Sequence, residues 1–187
     1  MQDLDKINLL LKLKEVNRVT KVLNRNESSA EHTYGCLMLA DYLLSRFKLN
    51  LDSEKVKKLL LYHDFVEIES GDTYFLDEEG VKNQKLKEQK AFKILQQKIP
   101  KEISQNYIAL FDEYEQNETQ EAKFAQAVDK LEPMIHALDY KELWHEKGFT
   151  EKNIREKKQK PMECFPELLN FFNEIMLFLK LNGYFKE

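Results

Sequence analysis

The chain has 187 residues, 42% apolar and 33% charged, a balance that suits one domain with its own core and excludes a disordered chain. With 33 acidic residues against 29 basic ones the net charge is −4, so the footprint of a nucleic-acid-polymer binder is absent. Cys36 and Cys164 match no zinc or redox spacing, and Lys12 and Lys14 interrupt the apolar N-terminal cluster, so the expectation is free thiols in the cytoplasm and no membrane segment.

Five glycines and four prolines are few, which favours long helices. Leu4, Ile7, Leu10, Leu11, Leu13 and Val16 form a first helical stripe, with Asp3 or Asp5 as its cap. The polar stretch "NRVTKVLNRNESS" reads as a loop ending at an N-cap, Ser28 or Ser29. A helix follows through Phe47, with Leu37, Leu39, Ala40, Leu43, Leu44 and Phe47 as core candidates. Asp52 or Ser53 caps another helix, which the pattern carries to about Glu69, with Gly71 as its stop and "GDTYFLDEEGVKN" as a loop. A charged amphipathic helix runs to Pro100, and another from about Lys101 to Tyr114.

Asn117 or Thr119 opens a helix with apolar positions Phe124, Ala127, Val128, Leu131, Ile135 and Leu138, and Pro133 is expected to kink it. "FTEKNIREKKQKPMECF" reads as a loop or an exposed short helix, and Pro166 starts a last apolar helix that Gly183 ends. No strand alternation is sustained. The expected fold is all-α, one domain over 1–187 with about seven to eight helices, its chemistry within about 9–144 and the helix at about 166–183 packed on it or at a dimer interface.

Within this pattern, His32, His63, Asp64 and Asp129 bring two imidazoles and two carboxylates from three predicted helices, a donor set suited to Mn, Co, Fe, Ni, Zn or, less well, Mg. Glu67 lies one helical turn beyond His63 and Asp64, beside the same spot. Spacing alone leaves a second reading open, in which His63 and Asp64 sit idle at an exposed helix rim. Cys36 reads as a small buried residue, His136 and His145 as rim or surface residues. Glu132 reads equally as an orienting group or a solvated one.

The ordered series Glu31–His32, His63–Asp64 and Asp129 resembles the H…HD…D pattern of the HD-domain metal-dependent phosphohydrolases. "KEVNRVTKVLNRNESSAEHTYG", "HDFVEIESGDT" and "AVDKLEPMIHALDY" are similar to three segments of its 5'-deoxynucleotidase branch. The resemblance runs from Leu9 to Trp144. It implies that His32, His63, Asp64 and Asp129 ligate one divalent metal, that Glu67 is the catalytic acid/base, and that Asp72 holds the attacking water or leaving group. Arg18 then grips the phosphate and Val19 lines the sugar pocket, where the bacterial members carry tryptophan. The family is commonly homodimeric.

Phosphomonoester hydrolysis is very slow uncatalysed, and a divalent ion answers this by acidifying water and neutralising phosphoryl oxygens. The expected activity is therefore hydrolysis of a (deoxy)nucleoside 5'-monophosphate to nucleoside and phosphate. The alternatives are another HD activity, on a cyclic nucleotide or a nucleoside triphosphate, and a non-catalytic nucleotide- or metal-binding helical module.

Overall fold

The computed structural model describes residues 2–186. Helix α1 (Gln2–Leu9) and a short 3-10 turn (Lys12–Glu15) lead into strands β1 (Asn17–Val22) and β2 (Arg25–Ser28). Eight helices then follow α2 (Ser29–Phe47): α3 (Ser53–Tyr62), α4 (Glu67–Ser70), α5 (Glu78–Lys98), α6 (Lys101–Gln116), α7 (Gln120–His136), α8 (Lys141–Glu146), α9 (Glu151–Lys158) and α10 (Pro166–Leu181). The fold is all-α apart from the one hairpin.

Helices α2, α3 and α7 pack together because each carries an apolar face at helical spacing: Cys36, Ala40 and Leu43 on α2, Val56, Leu59 and Leu60 on α3, and Phe124, Ala127, Val128 and Leu131 on α7. Each fully buried leucine contributes roughly 1.5–3 kcal/mol through the area it removes from water. The inner face of α10 (Leu168, Phe172, Met176, Leu179) joins this core, and its outer face leaves Leu177, Phe178 and Leu181 exposed. A second cluster of Phe65, Val66, Leu95, Tyr107 and Phe111 ties α5 and α6 to the segment after α3.

Three expectations need correction. The stretch read as a loop is an antiparallel hairpin with Val22 opposite Arg25 and Asn17 opposite Ser28, and a register irregularity between Asn17 and Lys21. Its turn places Leu23 at φ 53, in the left-handed region that a bulky residue seldom adopts, while the Leu23 N–H donates to the Tyr140 hydroxyl at 2.9 Å. The helix expected to run unbroken to Glu69 stops at Tyr62. Through Phe65, Glu67 and Ile68 the N–H groups bond three residues back (to Tyr62, Asp64 and Phe65), so the chain tightens into turns before α4. Similarly, the long helix expected beyond Thr119 divides into α7 and α8, and these breaks supply the helices above the expected number.

Candidate active site

The N-terminus of α2 carries the first functional side chain. Ser28 caps the helix in a reciprocal box with Glu31, and the Ser29 N–H donates to the Val16 carbonyl at 2.9 Å. His32, fully buried one residue later, donates from Nδ1 to Glu132 Oε2 at 2.7 Å, and its Nε2 stands 3.1 Å from Asp129 Oδ1. Glu132 is thus buried and turned toward the ring, which resolves the open reading of that residue as an orienting group.

His63 and Asp64 occupy the tightened segment after α3. His63 is buried, not exposed at a rim, and donates from Nδ1 to the Leu60 carbonyl at 2.7 Å, so its Nε2 presents a lone pair inward. That Nε2 is buried without a hydrogen-bond partner among the described residues, 3.2 Å from Asp64 Oδ1 and 3.9 Å from Asp129 Oδ1. Asp64 Oδ2 lies 3.8 Å from His32 Nε2. Asp129, on α7, accepts from the Tyr114 hydroxyl at 3.2 Å and from Lys130 Nζ at 2.8 Å. Burial opposes its charge, but Lys130 and the two imidazoles hold the carboxyl well below its usual range.

These contacts fit a divalent ion. Both imidazoles use Nδ1 to donate outward, and the facing nitrogens and carboxylate oxygens stand 3.1–3.9 Å apart. Ligands at about 2.0–2.2 Å from one ion are themselves roughly 3–3.5 Å apart. The orphaned His63 Nε2 is the group such an ion satisfies. Cys36 Sγ lies 3.5 Å from His32 Nε2, and burial pushes its thiol up to about 12, so it packs beneath the ring as a neutral core residue.

Glu67 begins α4, buried, and its Oε2 accepts from Ser29 Oγ at 2.6 Å. Burial first, then Asp64 and Asp72, raise this carboxyl well above its ordinary value, so it carries a proton readily. Asp72 follows Gly71, whose φ of 73 lets the chain turn back toward the centre. Arg18 on β1 points its Nη1 at Asp64 Oδ2, 3.2 Å, and Asp72 Oδ1, 3.5 Å, while its Nε is 3.6 Å from Glu27 Oε2. Burial works against the guanidinium charge, but the surrounding carboxylates outweigh it and raise its pKa. The hairpin therefore delivers a charged fork to the carboxylate cluster.

Arg18, Val19, His63, Asp64, Glu67, Asp72 and Asp129 line one cavity of ≈ 410 Å³, with His32 beneath them. The sequence pattern points to these residues but not to Ser29, Tyr114 or Glu27, and it places Lys158 in a loop or an exposed short helix. Ser29 stood there only as a cap. Tyr114 looked like any apolar position of α6, and Lys158 like any lysine of a basic run. His136 and His145 bond to the carbonyls of Lys21 and Gly183, and a ring nitrogen of His136 lies within 4.8 Å of carboxylate oxygens of Glu27 and Glu132.

An all-helical frame with a buried imidazole–carboxylate centre beside a charged arginine defines the class: a metal-dependent phosphohydrolase. The sequence model of the HD domain matches residues 10–169, and the chain belongs to the HD-domain family. It is 30% identical over 145 residues to the human 5'-deoxynucleotidase HDDC2, spanning 76% of this chain and 70% of that protein. A 5'-deoxynucleotidase of Erwinia tasmaniensis is 27% identical over 85% of this chain and 87% of its own. A crystal structure from Magnetospirillum magnetotacticum, described as a predicted metal-dependent phosphohydrolase, superposes with a TM-score of 0.86 at 29% identity, covering 100% of this chain and 95% of that one.

Proposed function

We propose that the protein is a nucleoside 5'-monophosphatase acting on deoxynucleoside 5'-monophosphates, with 1–187 as a single HD domain. The observation that carries this is the orphaned His63 Nε2 among His32, Asp64 and Asp129, with Arg18 on the same cavity. The relatives named 5'-deoxynucleotidase support the substrate class. In this reading His32, His63, Asp64 and Asp129 hold one divalent ion, for which the mixed nitrogen and oxygen donors favour Mn, Co, Fe, Ni or Zn over Mg. When bound, such an ion acidifies water and neutralises phosphoryl charge.

The chain's own groups do the rest. Arg18 donates to the non-bridging phosphate oxygens in a fork that matches their geometry. Its pairing with Asp64 and Asp72 keeps that fork aimed while the site is empty of substrate. Glu67, held by Ser29, moves the proton between water and the leaving oxygen, and its raised pKa suits both directions of transfer. Asp72 orients the water or leaving group, and Val19 borders the sugar. A homodimer fits the exposed Leu177, Phe178 and Leu181 on α10, and a cytoplasmic setting fits the free thiols and the absence, among the described residues, of any helix able to cross a membrane.

The test is phosphate release from a panel of deoxyribo- and ribonucleoside monophosphates with Mn²⁺, Co²⁺ and Mg²⁺. Asp64→Ala is expected to lose both metal and turnover. Glu67→Gln is expected to keep metal and lose about 10²–10⁴-fold in kcat, the usual worth of a proton-transfer group. Equal phosphate release by wild type and Asp64→Ala sinks the proposal.

A further inference from the structure

The cavity contains a group that the chemistry above does not use. Lys158, at the end of α9, is only 6% exposed and lines the same cavity as Arg18 and Asp129. Its ammonium has three donors, yet its hydrogen bond among the described residues is to the Lys130 carbonyl, 3.1 Å, and it makes no ion pair among them. Its Nζ also lies 5.0 Å from the centre of the Phe75 ring. Lysine is almost never fully buried unless paired, because an unmatched ammonium loses its hydration. Burial accordingly pushes this amine down to about 7.

The remaining donors need an acceptor, and the cavity is where one arrives. The phosphate end of a nucleotide belongs with Arg18 and the buried carboxylates. On its other side Lys158 meets Phe75, and the cavity is further lined by Met134, Trp144, Phe149 and Ile154, an apolar and aromatic surface suited to a planar ring, while Arg18, Asp129 and Glu132 act on its charge from the carboxylate end. We infer that Lys158 is a specificity-determining residue that donates to a ring-carbonyl oxygen of the nucleobase. This rests on the nucleotide reading above and adds the class of base: guanine, thymine, uracil and cytosine carry such an oxygen, and adenine carries none.

Guanine and adenine nucleotides, which share the purine frame, make the comparison. With Mn²⁺-loaded protein, kcat/KM for dGMP is expected to exceed that for dAMP by about tenfold or more, mainly through KM, since a site built to hydrogen-bond a group rejects the analogue lacking it. Lys158→Met, which conserves volume and apolar packing, is expected to bring the ratio close to one. Lys158→Gln, shorter but still a donor, is expected to retain part of it and serves where the methionine variant does not fold. Titration calorimetry of dGMP and dAMP on Mn²⁺-loaded Glu67→Gln protein, with and without Lys158→Met, reads the same preference without turnover.

A wild-type ratio near one, or a ratio unchanged in both Lys158 variants, overturns the proposal while nucleotide hydrolysis stands. Equal loss on dGMP, dAMP and deoxyribose 5-phosphate also overturns it, and assigns the amine to the phosphate end. A Lys158-dependent preference for dGMP in binding, with no phosphate released from any nucleotide, supports the inference and overturns the hydrolytic reading instead. If neither nucleotide binds nor turns over, both fall.

Discussion

His32 on α2 donates from Nδ1 to Glu132 Oε2 on α7 at 2.7 Å, and the approach depends on a residue that lacks a side chain. A Cβ at Gly35 would collide with Glu132 Oε1 and stand 3.1 Å from its Cγ. An interior helical glycine ordinarily costs about 1 kcal/mol relative to alanine. Gly35→Ala therefore has two opposed effects: α2 gains propensity and the Glu132 carboxylate is driven off the imidazole. Loss of such an orienting partner typically weakens metal binding about 10–100-fold. The expected outcome is a melting temperature held or raised without metal, together with that loss in Co²⁺ or Mn²⁺ affinity by titration. Unchanged affinity would show that Glu132 does not orient His32 for a metal.

Glu27 bears on the arginine in a similar way. Arg18 Nε and Glu27 Oε2 are both buried and, at 3.6 Å, are each other's natural partner across the hairpin. If Glu27 aims the guanidinium, Glu27→Gln is expected to raise KM about tenfold or more and to leave kcat within a few-fold. Inhibition by inorganic phosphate should weaken in parallel. The double variant Arg18→Ala/Glu27→Ala should be little worse than Arg18→Ala alone, since the two act as one unit. Additive losses would mean that Glu27 matters to the fold rather than to phosphate binding.

The apolar spacing on α2, α3, α7 and α10 was legible because each face is buried against another helix and must repeat at helical period. The centre itself was legible through residue type. Imidazoles and carboxylates inside apolar helices are costly to bury, and His32, His63, Asp64 and Asp129 became a set once aligned with a family pattern. The hairpin was not legible: "RVTKV" has no clean alternation, and the turn at Leu23 has no glycine to mark it. Nor was the break after Tyr62. Only the packing around His63 and Phe65 competes with continued helix there, and that packing is tertiary. Lys158 and Glu27 failed for one reason: a charged residue in a polar run reads the same whether it is solvated or drawn inward.

The cap that starts α2 sits about one helical turn before His32, so its loss should be felt as stability. Ser28 Oγ accepts from the Glu31 N–H at 3.3 Å, and the Ser28 N–H donates to Glu31 Oε2 at 2.9 Å. Ser28→Ala is expected to cost about 1 kcal/mol, and for a chain of this size a fall of about 2–4 °C in Tm. The Arg25 hydrogen bond, with Ser28, lowers the Glu31 carboxyl to about 2. Its folded value is thus below its unfolded one, so the contribution is present above about pH 4.5 and fades as pH falls toward 2. The difference between wild type and Glu31→Gln in thermal melts should shrink over that window; a gap that widens on acidification contradicts the assignment.

Lys158 gives the opposite dependence on pH. Burial, then Lys130 and Arg18, disfavour its ammonium, with Asp129 and Glu132 acting the other way, and the folded amine titrates at about 7. The unfolded chain holds that proton to about pH 10.4. Between these values the unfolded state binds more protons, so this group makes stability rise with pH across the window; below about 7 both states are protonated and the full cost of the buried charge remains. Lys158→Met removes the cost and its pH dependence together. Urea denaturation of the metal-free protein should find the variant more stable than wild type at pH 7, by a margin that narrows by pH 9.5. A variant that is less stable at pH 7, with a constant gap to pH 9.5, would show that the ammonium is satisfied inside the fold and needs no ligand oxygen.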